Sequence, residues 1–184
     1  MKEIKIAGII RKSPSKKDET DTSIQLQRKQ IEAKVDADFI DNPNIQPRII
    51  WFVDDNVSGD DPNRPQLKQL FENIEEYDYA YVRDVDRLSR SYLGLMWFHN
   101  YFIKERGLKP HTGCKLRFVQ GVGELYDKKG LLNVDSYMTF FFLCGIAQGE
   151  LIRIRQRCDA GRDKLRGTPE WKKKFKGRKA TKKS

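Results

Sequence analysis

The sequence predicts an α/β protein: a three-layer sandwich around a mostly parallel sheet of four or five strands, followed by one long C-terminal helix. Two observations lead to this prediction. Short, continuous apolar runs alternate with longer stretches of helical periodicity, which is the pattern of parallel strands joined by crossover helices. A final segment, Val134–Arg166, contains no proline and keeps one helical pattern throughout. A length of 184 residues is enough for one domain with its own core.

The first β-α-β unit is predicted in residues 5–53. Lys5–Ile10 is a continuous apolar run, as expected for a strand that is covered on both faces. Asp21-Thr22-Ser23 offers N-cap side chains, and Ile24–Val35 then places apolar residues among polar ones, which predicts a helix. Ile49–Val53 is a second strand of the buried type.

The following elements continue the alternation. Pro65 should begin a helix, because proline is favoured at the first helical position and the next apolar residues share one face. These residues are Leu67, Leu70, Phe71 and Ile74. Tyr79–Val82 and Leu116–Val119 are the third and fourth predicted strands, and the aromatic-rich Tyr92–Lys104 between them is a predicted helix.

The long C-terminal segment carries a heptad pattern. Its apolar residues follow a 3-4-3-4 spacing over three repeats: Tyr137, Phe140, Cys144, Ala147, Leu151, Ile154 and Cys158. A helix of this length spans about 50 Å at 1.5 Å per residue, so part of it should project from so small a domain. We therefore predict that Tyr137, Phe140, Cys144, Ala147 and Leu151 pair two subunits. The alternative is a helix packed entirely on its own sheet, which suits Tyr137–Ala147 better than the residues from Leu151 onward.

Positive charge is concentrated at the C terminus. Residues 153–184 contain 14 Lys or Arg and three acids, a net charge of +11, whereas residues 1–152 contain 22 basic and 23 acidic residues, a net charge of −1. This asymmetry predicts a polyanionic partner, and a solubilising tail is the alternative. The pattern divides the chain into an α/β domain (1–132), a long helix (133–166) and a basic, flexible tail (167–184).

Several classes of protein are disfavoured. No apolar run reaches the length of a membrane span, and the charged start Met1–Lys5 does not resemble a signal peptide. The three cysteines and two histidines are widely spaced and form no metal-binding pattern. We therefore expect a cytoplasmic protein with reduced cysteines, no cofactor and no metal site.

Three clusters of polar residues follow predicted strands, and the carboxyl ends of parallel strands are where α/β proteins bind ligands. The first is Arg11-Lys12-Ser13, in which a hydroxyl lies two residues from a guanidinium. The third strand is followed by Asp84-Val85-Asp86-Arg87-Leu88-Ser89-Arg90, and the planar forks of its arginines suit phosphate oxygens. Asp54-Asp55-Asn56-Val57-Ser58-Gly59, with Arg64 beyond, is typical of a turn, although paired aspartates also bind metals. Each cluster alone has an ordinary explanation as a cap, a turn or a salt-bridged surface.

Together the clusters resemble the resolvase/invertase family, the serine recombinases. Arg11-Lys12-Ser13 is similar to the family's Arg-x-Ser nucleophile motif, and Ser23–Gln27 to its Ser-Leu-x-x-Gln. Asp55–Gly59 with Arg64–Leu67 resembles Asp-x-x-Ser-Gly and the later Arg-x-x-Leu, and Asp86–Arg90 resembles Asp-Arg-Leu-x-Arg. Ala147–Glu150 and the region from Arg157 to Arg162 resemble the start of the family's DNA-contacting helix. The chain departs from the family at Ile9, where a tyrosine is usual, in the extra loop Ser15–Thr20, and at Leu151 and Gln156.

The resemblance implies a function and a set of residues. Ser13 would attack a DNA phosphate and form a covalent 5′-phosphoserine, followed by strand exchange in a tetramer built from homodimers on double-stranded DNA. The implied catalytic residues are Ser13, Arg11, Arg87, Arg90, Arg64, Asp86, Gln27 and Asp55. The implied DNA contacts come from the basic half of the helix and the tail: Arg153, Arg157, Arg162, Lys164, Arg166, Lys172, Lys173 and Lys174. Two other functions are compatible with the sequence: a recombinase-like module that binds DNA without chemistry, and an RNA-binding or nuclease enzyme that uses the basic tail.

Overall fold

The computed structural model describes residues 1–12, 20–57, 64–89, 94, 114–126, 131–166 and 168. Its strands are β1 (Lys2–Arg11), β2 (Ile45–Asp54), β3 (Tyr79–Val82) and β4 (Lys115–Phe118). Its helices are α1 (Thr20–Phe39), α2 (Pro65–Glu72), α3 (Val85–Leu88) and α4 (Val134–Leu165), with one 3-10 turn at Ile74–Glu76.

The four strands form one parallel sheet in the order β2-β1-β3-β4. β1 lies between β2 and β3, inside the sheet, and its apolar side chains are buried on both faces. Gly8 of β1 pairs with Trp51 of β2, and a Cβ atom at position 8 would lie 2.4 Å from the indole ring. The absence of a side chain at this position therefore lets the indole pack directly on β1.

Helices cover both faces of the sheet and form two separate cores. On one face, Ile6 and Ile10 of β1 pack with Ile31 and Val35 of α1. On the other face, apolar residues of the strands pack with α2 and with the first half of α4: Ala7, Ile9, Ala80, Val82, Leu116, Phe118, Leu67, Leu70, Phe71, Phe140, Cys144 and Ala147. The predicted three-layer α/β sandwich with a parallel sheet is confirmed.

One predicted helix boundary is wrong. α1 begins at Thr20, so Asp21, Thr22 and Ser23 lie inside the helix and not before its start. Ser23 instead accepts hydrogen bonds from the Gln27 side chain one turn later, on its carbonyl at 3.2 Å and on its hydroxyl at 3.4 Å. The predicted helix at 92–104 lies outside the described residues.

α4 was predicted with its observed start and to within one residue at its end, and a side chain caps its start. The Asn133 side chain accepts hydrogen bonds from the backbone N–H groups of Asp135 and Ser136, at 3.1 and 3.3 Å. The first compact unit of the chain ends at Gln148, within this helix, and the second begins at Gly149. None of the helices described is both long and apolar enough to cross a membrane.

The first half of α4 has two apolar faces. Phe140, Cys144 and Ala147 are buried in the core of their own chain, which is what the alternative interpretation of the heptad pattern predicts. Met138, Phe142 and Ile146 lie on the opposite side of the helix and are exposed. The pairing of subunits through α4 stays a prediction, but the face that is open to a partner is the one that carries Phe142.

Candidate active site

The ends of three strands meet at one edge of the sheet. Arg11 pairs with Asp54 across β1 and β2, and Ile9 pairs with Val82 across β1 and β3. All three strands run in the same direction, so the residues that follow them emerge side by side. This edge brings together Arg11, Gln27, Asp55, Arg64, Asp86 and Arg87 of the predicted site.

Arg11 lies at the centre of this group and has no exposed surface. Its guanidinium donates hydrogen bonds to two backbone carbonyls, that of Val57 at 3.2 Å and that of Asp86 at 2.9 Å. The side chain therefore joins the segments that follow β2 and β3.

The carbonyl oxygen of Arg11 is held from two other elements. It accepts a hydrogen bond from the Gln27 side-chain amide of α1 at 3.3 Å and one from the Arg87 guanidinium of α3 at 3.5 Å. Gln27 has no exposed surface, and the Arg87 side chain is 19% exposed. Two side chains named by the sequence thus converge on the backbone two residues before Ser13.

α3 is a single turn whose geometry depends on its cap. Asp84 accepts a hydrogen bond from the backbone N–H of Arg87 at 3.2 Å, and its carboxylate lies 3.8 Å from the Arg87 Nε atom. Asp84 was not predicted as a site residue, although an aspartate directly before a helix is a favoured N-cap. Asp84 fixes the start of the turn from which Arg87 points towards Arg11.

Arg64 forms a buried ion pair. Its Nε atom donates to the Asp54 carboxylate at 2.9 Å, both side chains are at most 5% exposed, and its Nη1 atom donates to the carbonyl of Leu88. Burial lowers the pKa of Arg64, and the charge of Asp54 acts in the opposite direction. The other oxygen of Asp54 accepts from the backbone N–H of Gln66 at 3.1 Å, so Asp54 also caps α2. Asp54, which the sequence left open as a metal ligand, thus serves as a structural partner for Arg64.

Lys12 and Asp55 form a second ion pair at this edge. The Lys12 ammonium lies 3.3 Å from an Asp55 carboxylate oxygen, and the Lys12 side chain is only 7% exposed. Asp55 is one of the predicted site residues, and Lys12 is not. No local pattern around Lys12 marks it as a site residue, because its ion pair depends on Asp55 at the end of the neighbouring strand.

Ser13 and Arg90 lie outside the described residues, as do Ser58 and Gly59 of the predicted turn. Among the residues that are described, no three His, Cys, Asp or Glu side chains are grouped as a metal ion would need. The arrangement supplies three guanidinium groups, of Arg11, Arg64 and Arg87, close to one sheet edge. Guanidinium groups stabilise an anion that carries negative charge on several oxygens, as a phosphate does.

The basic residues of the second unit are spread over the surface of a helix. Arg153, Arg157, Arg162, Lys164 and Arg166 are all exposed. Arg162 and Arg166 each pair with an aspartate three residues earlier, Asp159 and Asp163. The lysines at 172, 173 and 174 lie outside the described residues.

Comparison with known proteins gives one family and several similar structures. Residues 6–168 match the family model of the resolvase N-terminal domain. The N-terminal catalytic domain of TP901-1 integrase is 24% identical, with a TM-score of 0.42, over 83% of this chain and 97% of that chain. A resolvase family site-specific recombinase from Streptococcus pneumoniae is 20% identical, with a TM-score of 0.46, over 86% of this chain and 95% of that chain. No curated protein sequence matches.

Proposed function

This chain belongs to the family of resolvase N-terminal domains, which are catalytic domains of site-specific DNA recombinases, and on this premise we propose that it cleaves and rejoins DNA with Ser13 as the nucleophile. The observation that carries the proposal is the convergence of Gln27 and Arg87 on the carbonyl of Arg11, 3.3 and 3.5 Å away. These contacts fix the backbone two residues before the hydroxyl that must attack.

The reaction is a phosphoryl transfer that conserves the energy of the broken bond. The Ser13 oxygen forms a bond to phosphorus and loses its proton, while the bond from phosphorus to the deoxyribose 3′ oxygen breaks. The 3′ oxygen leaves as a hydroxyl, and the phosphate stays on Ser13 as a 5′-phosphoserine. Attack by a 3′ hydroxyl of another strand reverses these steps, so rejoining needs no ATP.

The arginines supply the charge that the transition state needs. Negative charge builds on the equatorial oxygens, and preorganised cations aimed at those oxygens lower the barrier. Arg87 and Arg90 would contact the phosphate. Arg11, which is fully buried, would stabilise the transition state through its electrostatic field, without touching the phosphate. Asp86 and Gln27 would orient these groups, and Arg64 would assist from its buried pair with Asp54. This set supports a reaction without a divalent metal.

DNA binding and assembly follow from the C-terminal part of the chain. The exposed arginines from Arg153 onward, together with the basic tail, would contact the phosphates of double-stranded DNA. Dimers would form through α4, with the exposed face of Met138, Phe142 and Ile146 taking the place of the buried residues in the predicted seam. Two dimers would form the tetramer in which strands are exchanged.

Covalent capture tests the proposal. The chain is incubated with a library of labelled DNA duplexes of random sequence, denatured in detergent, and the DNA that remains attached to protein is recovered and sequenced. We expect attachment at a DNA 5′ end through Ser13, and Ser13→Ala should abolish attachment while it keeps DNA binding. Attachment that survives Ser13→Ala would contradict the assignment of the nucleophile. Free 5′ phosphates without attachment would indicate a nuclease, and binding without cleavage would indicate a module without chemistry.

A further inference from the structure

The turn that follows β2 wraps around the end of β1 directly before Ser13. Val57 donates its backbone N–H to the Lys12 carbonyl at 3.0 Å, and its own carbonyl accepts from Arg11 at 3.2 Å. The turn is possible because Asn56 adopts a left-handed conformation, with φ of 58°, which asparagine tolerates better than most residues. The two residues that precede Ser13 are therefore both held by residue 57.

The Lys12 side chain is bound to the same turn. The Lys12 ammonium lies 3.3 Å from the Asp55 carboxylate. The backbone N–H of Lys12 also donates a hydrogen bond to the Asp54 carbonyl, at 3.0 Å. The Lys12 side chain is 7% exposed, whereas that of Asp55 is 56% exposed. Lysine is seldom buried without a partner, because an ammonium removed from water needs a compensating charge. Main chain and side chain of Lys12 thus both attach the end of β1 to residues 54–57.

We propose that Lys12 is a positioning residue for DNA cleavage, which together with Asp55 fixes the backbone that carries the nucleophile. The proposal rests on the proposed function, since it takes Ser13 as that nucleophile. Asp55 then acts on the reaction through Lys12 and does not contact DNA. In-line attack demands close alignment of nucleophile and phosphorus, so a small shift of this backbone lowers the rate of cleavage.

A direct role of Lys12 as a phosphate ligand fits the geometry less well. The ammonium faces the Asp55 carboxylate and has little contact with solvent, so a phosphate would have to displace Asp55 to reach it. The two roles differ in what they predict. A phosphate ligand contributes to DNA affinity, whereas a positioning residue contributes to the rate at saturating DNA.

The test uses the full chain and the duplex recovered most often by covalent capture. Lys12→Met keeps most of the aliphatic stem and removes the charge, Lys12→Arg keeps the charge, and Asp55→Asn removes the partner at a more exposed position. The quantities measured are the rate of adduct formation at saturating duplex, the dissociation constant for the duplex, and the exchange rate of the Val57 amide hydrogen, which needs no DNA. Ser13→Ala is the control that forms no adduct.

We expect Lys12→Met to slow adduct formation by up to about 10²-fold, the loss that a misplacement of about 1 Å can produce. Its dissociation constant should change less than about threefold, since phosphate contacts dominate affinity and Lys12 makes none. Lys12→Arg should restore most of the rate, and Asp55→Asn should repeat the loss. The double variant Lys12→Met with Asp55→Asn should be no slower than the slower single variant. Exchange of the Val57 amide should quicken in each variant that breaks the pair.

Three results would overturn the positioning role while the proposed function stands. These are a normal rate in Lys12→Met, a drop in affinity with a normal rate at saturating duplex, and rate effects that multiply in the double variant. Failure of Lys12→Met to fold leaves Asp55→Asn and the Val57 exchange rate to decide between the two roles. Absence of any adduct from the unaltered chain would instead contradict the proposed function, and the positioning role with it.

Discussion

At the scale of single residues, the arginines of the site differ in how far they reach solvent. Arg11 has no exposed surface and Arg64 is 5% exposed, whereas the side chain of Arg87 is 19% exposed. Arg11 and Arg64 also direct their donors to backbone carbonyls and to Asp54. Arg87 is therefore better placed than either of them to contact a phosphate that approaches this edge of the sheet.

The first prediction concerns Arg87. Arg87→Ala should lower the rate of cleavage at saturating DNA by about 10²-fold or more, as removal of one preorganised donor does in other active sites. Affinity for DNA should fall only modestly, because Arg87 is one cation among many. Arg87→Lys should recover part of the rate, since an ammonium keeps the charge but loses the planar fork. Single-turnover cleavage measures the rate, and binding titrations measure the affinity. A large drop in affinity with a normal rate of cleavage at saturating DNA would show that Arg87 only binds DNA. We expect the same of Arg90.

The second prediction concerns a polar network on the α1 face of the sheet. The buried Tyr81 hydroxyl donates to the Asp38 carboxylate at 2.7 Å, and Arg117 donates to both, at 2.7 Å to Asp38 and 3.2 Å to Tyr81. Burial, aided by Asp38 and opposed by Arg117, raises the pKa of Tyr81 well above its ordinary value of 10.0. Burial likewise raises the pKa of the Cys144 thiol, to about 12.

The sign of the pH effect follows from these shifts. Above the pKa of Tyr81 in the unfolded chain, the folded protein binds more protons than the unfolded one, so the free energy of unfolding falls as the pH rises. The stability is complete below this value, near pH 10, and is lost above it. Tyr81→Phe should lower the free energy of unfolding at neutral pH by about 1–3 kcal/mol, because Asp38 and Arg117 each lose a partner. It should also flatten the decline at alkaline pH.

Urea unfolding between neutral and alkaline pH measures both effects. Tyr79→Phe, which leaves the hydrogen bonds to Asp38 in place, is the matched control. Equal alkaline slopes in Tyr81→Phe and the unaltered chain would show that the phenol of Tyr81 does not govern this range.

At the scale of elements, α4 combines two apolar faces with opposite surroundings. Phe140 is buried against Phe118, with ring centroids 5.8 Å apart, and Phe142 is 70% exposed. The two residues are of one type, two positions apart on one helix. They therefore form a matched pair that separates folding from association.

Our third prediction uses this pair. Phe140→Ala should lower the free energy of unfolding by about 3–5 kcal/mol, since it leaves a cavity in the core. Phe142→Glu should change it by less than about 0.5 kcal/mol, as exposed substitutions usually do. Phe142→Glu should nevertheless weaken self-association, because it places a charge on the face proposed for the dimer. Sedimentation measures self-association, and thermal unfolding measures stability. If Phe142→Glu left the dimer unchanged, the interface would lie on another face of the chain. Leu151, buried and in the second unit, is the next position to test with a charged residue.

The same helix shows which features of the fold could be predicted from the sequence and which could not. Its limits were predictable because Asn133 provides a cap and no proline interrupts the segment before Leu165. The strands were predictable because short apolar runs such as Tyr79–Val82, bounded by polar residues, are typical of buried strands. What the heptad residues pack against was not predictable, because a 3-4 spacing suits packing on the chain's own core as well as on a second subunit.

The site shows the same division. Arg11, Gln27 and Arg87 were predictable as a group from the family motifs, and the structure brings them into contact. The partners of Arg64 and Lys12 were not predictable, because the ion pairs with Asp54 and Asp55 depend on which strand ends become neighbours. Strand order is a property of the whole sheet, and no local pattern around these residues records it.

At the scale of the whole molecule, charge is divided between two parts of the chain. Residues 1–152 are close to neutral and residues 153–184 carry +11. The catalytic unit therefore adds little to long-range attraction for DNA, and the C-terminal stretch supplies most of it. Such attraction is independent of sequence and depends strongly on salt.

The fourth prediction tests this division. Truncation after Gly167 should weaken binding to all DNA sequences alike and flatten the dependence of affinity on salt, while self-association stays intact. The slope of log affinity against log salt should change by about 0.9 for each phosphate that the tail no longer neutralises. Replacement of Lys172, Lys173 and Lys174 by alanine is the smaller, matched change and should remove part of the same slope. An unchanged slope after truncation would reduce the tail to a solubilising linker.

The order of the strands also governs how the chain reaches this structure during synthesis. β1 precedes its partners yet lies inside the sheet, and its pairing of Ile6 with Tyr79 must close a loop of more than 70 residues. Pairings between distant residues slow folding, because the entropy of loop closure is lost before the contacts form. β4 completes the sheet, and the first half of α4 then covers the part of one apolar face that α2 leaves open. Until these two elements emerge from the ribosome, that part of the face is open to other chains, so the nascent protein is most exposed to aggregation, and most dependent on chaperones, in this interval.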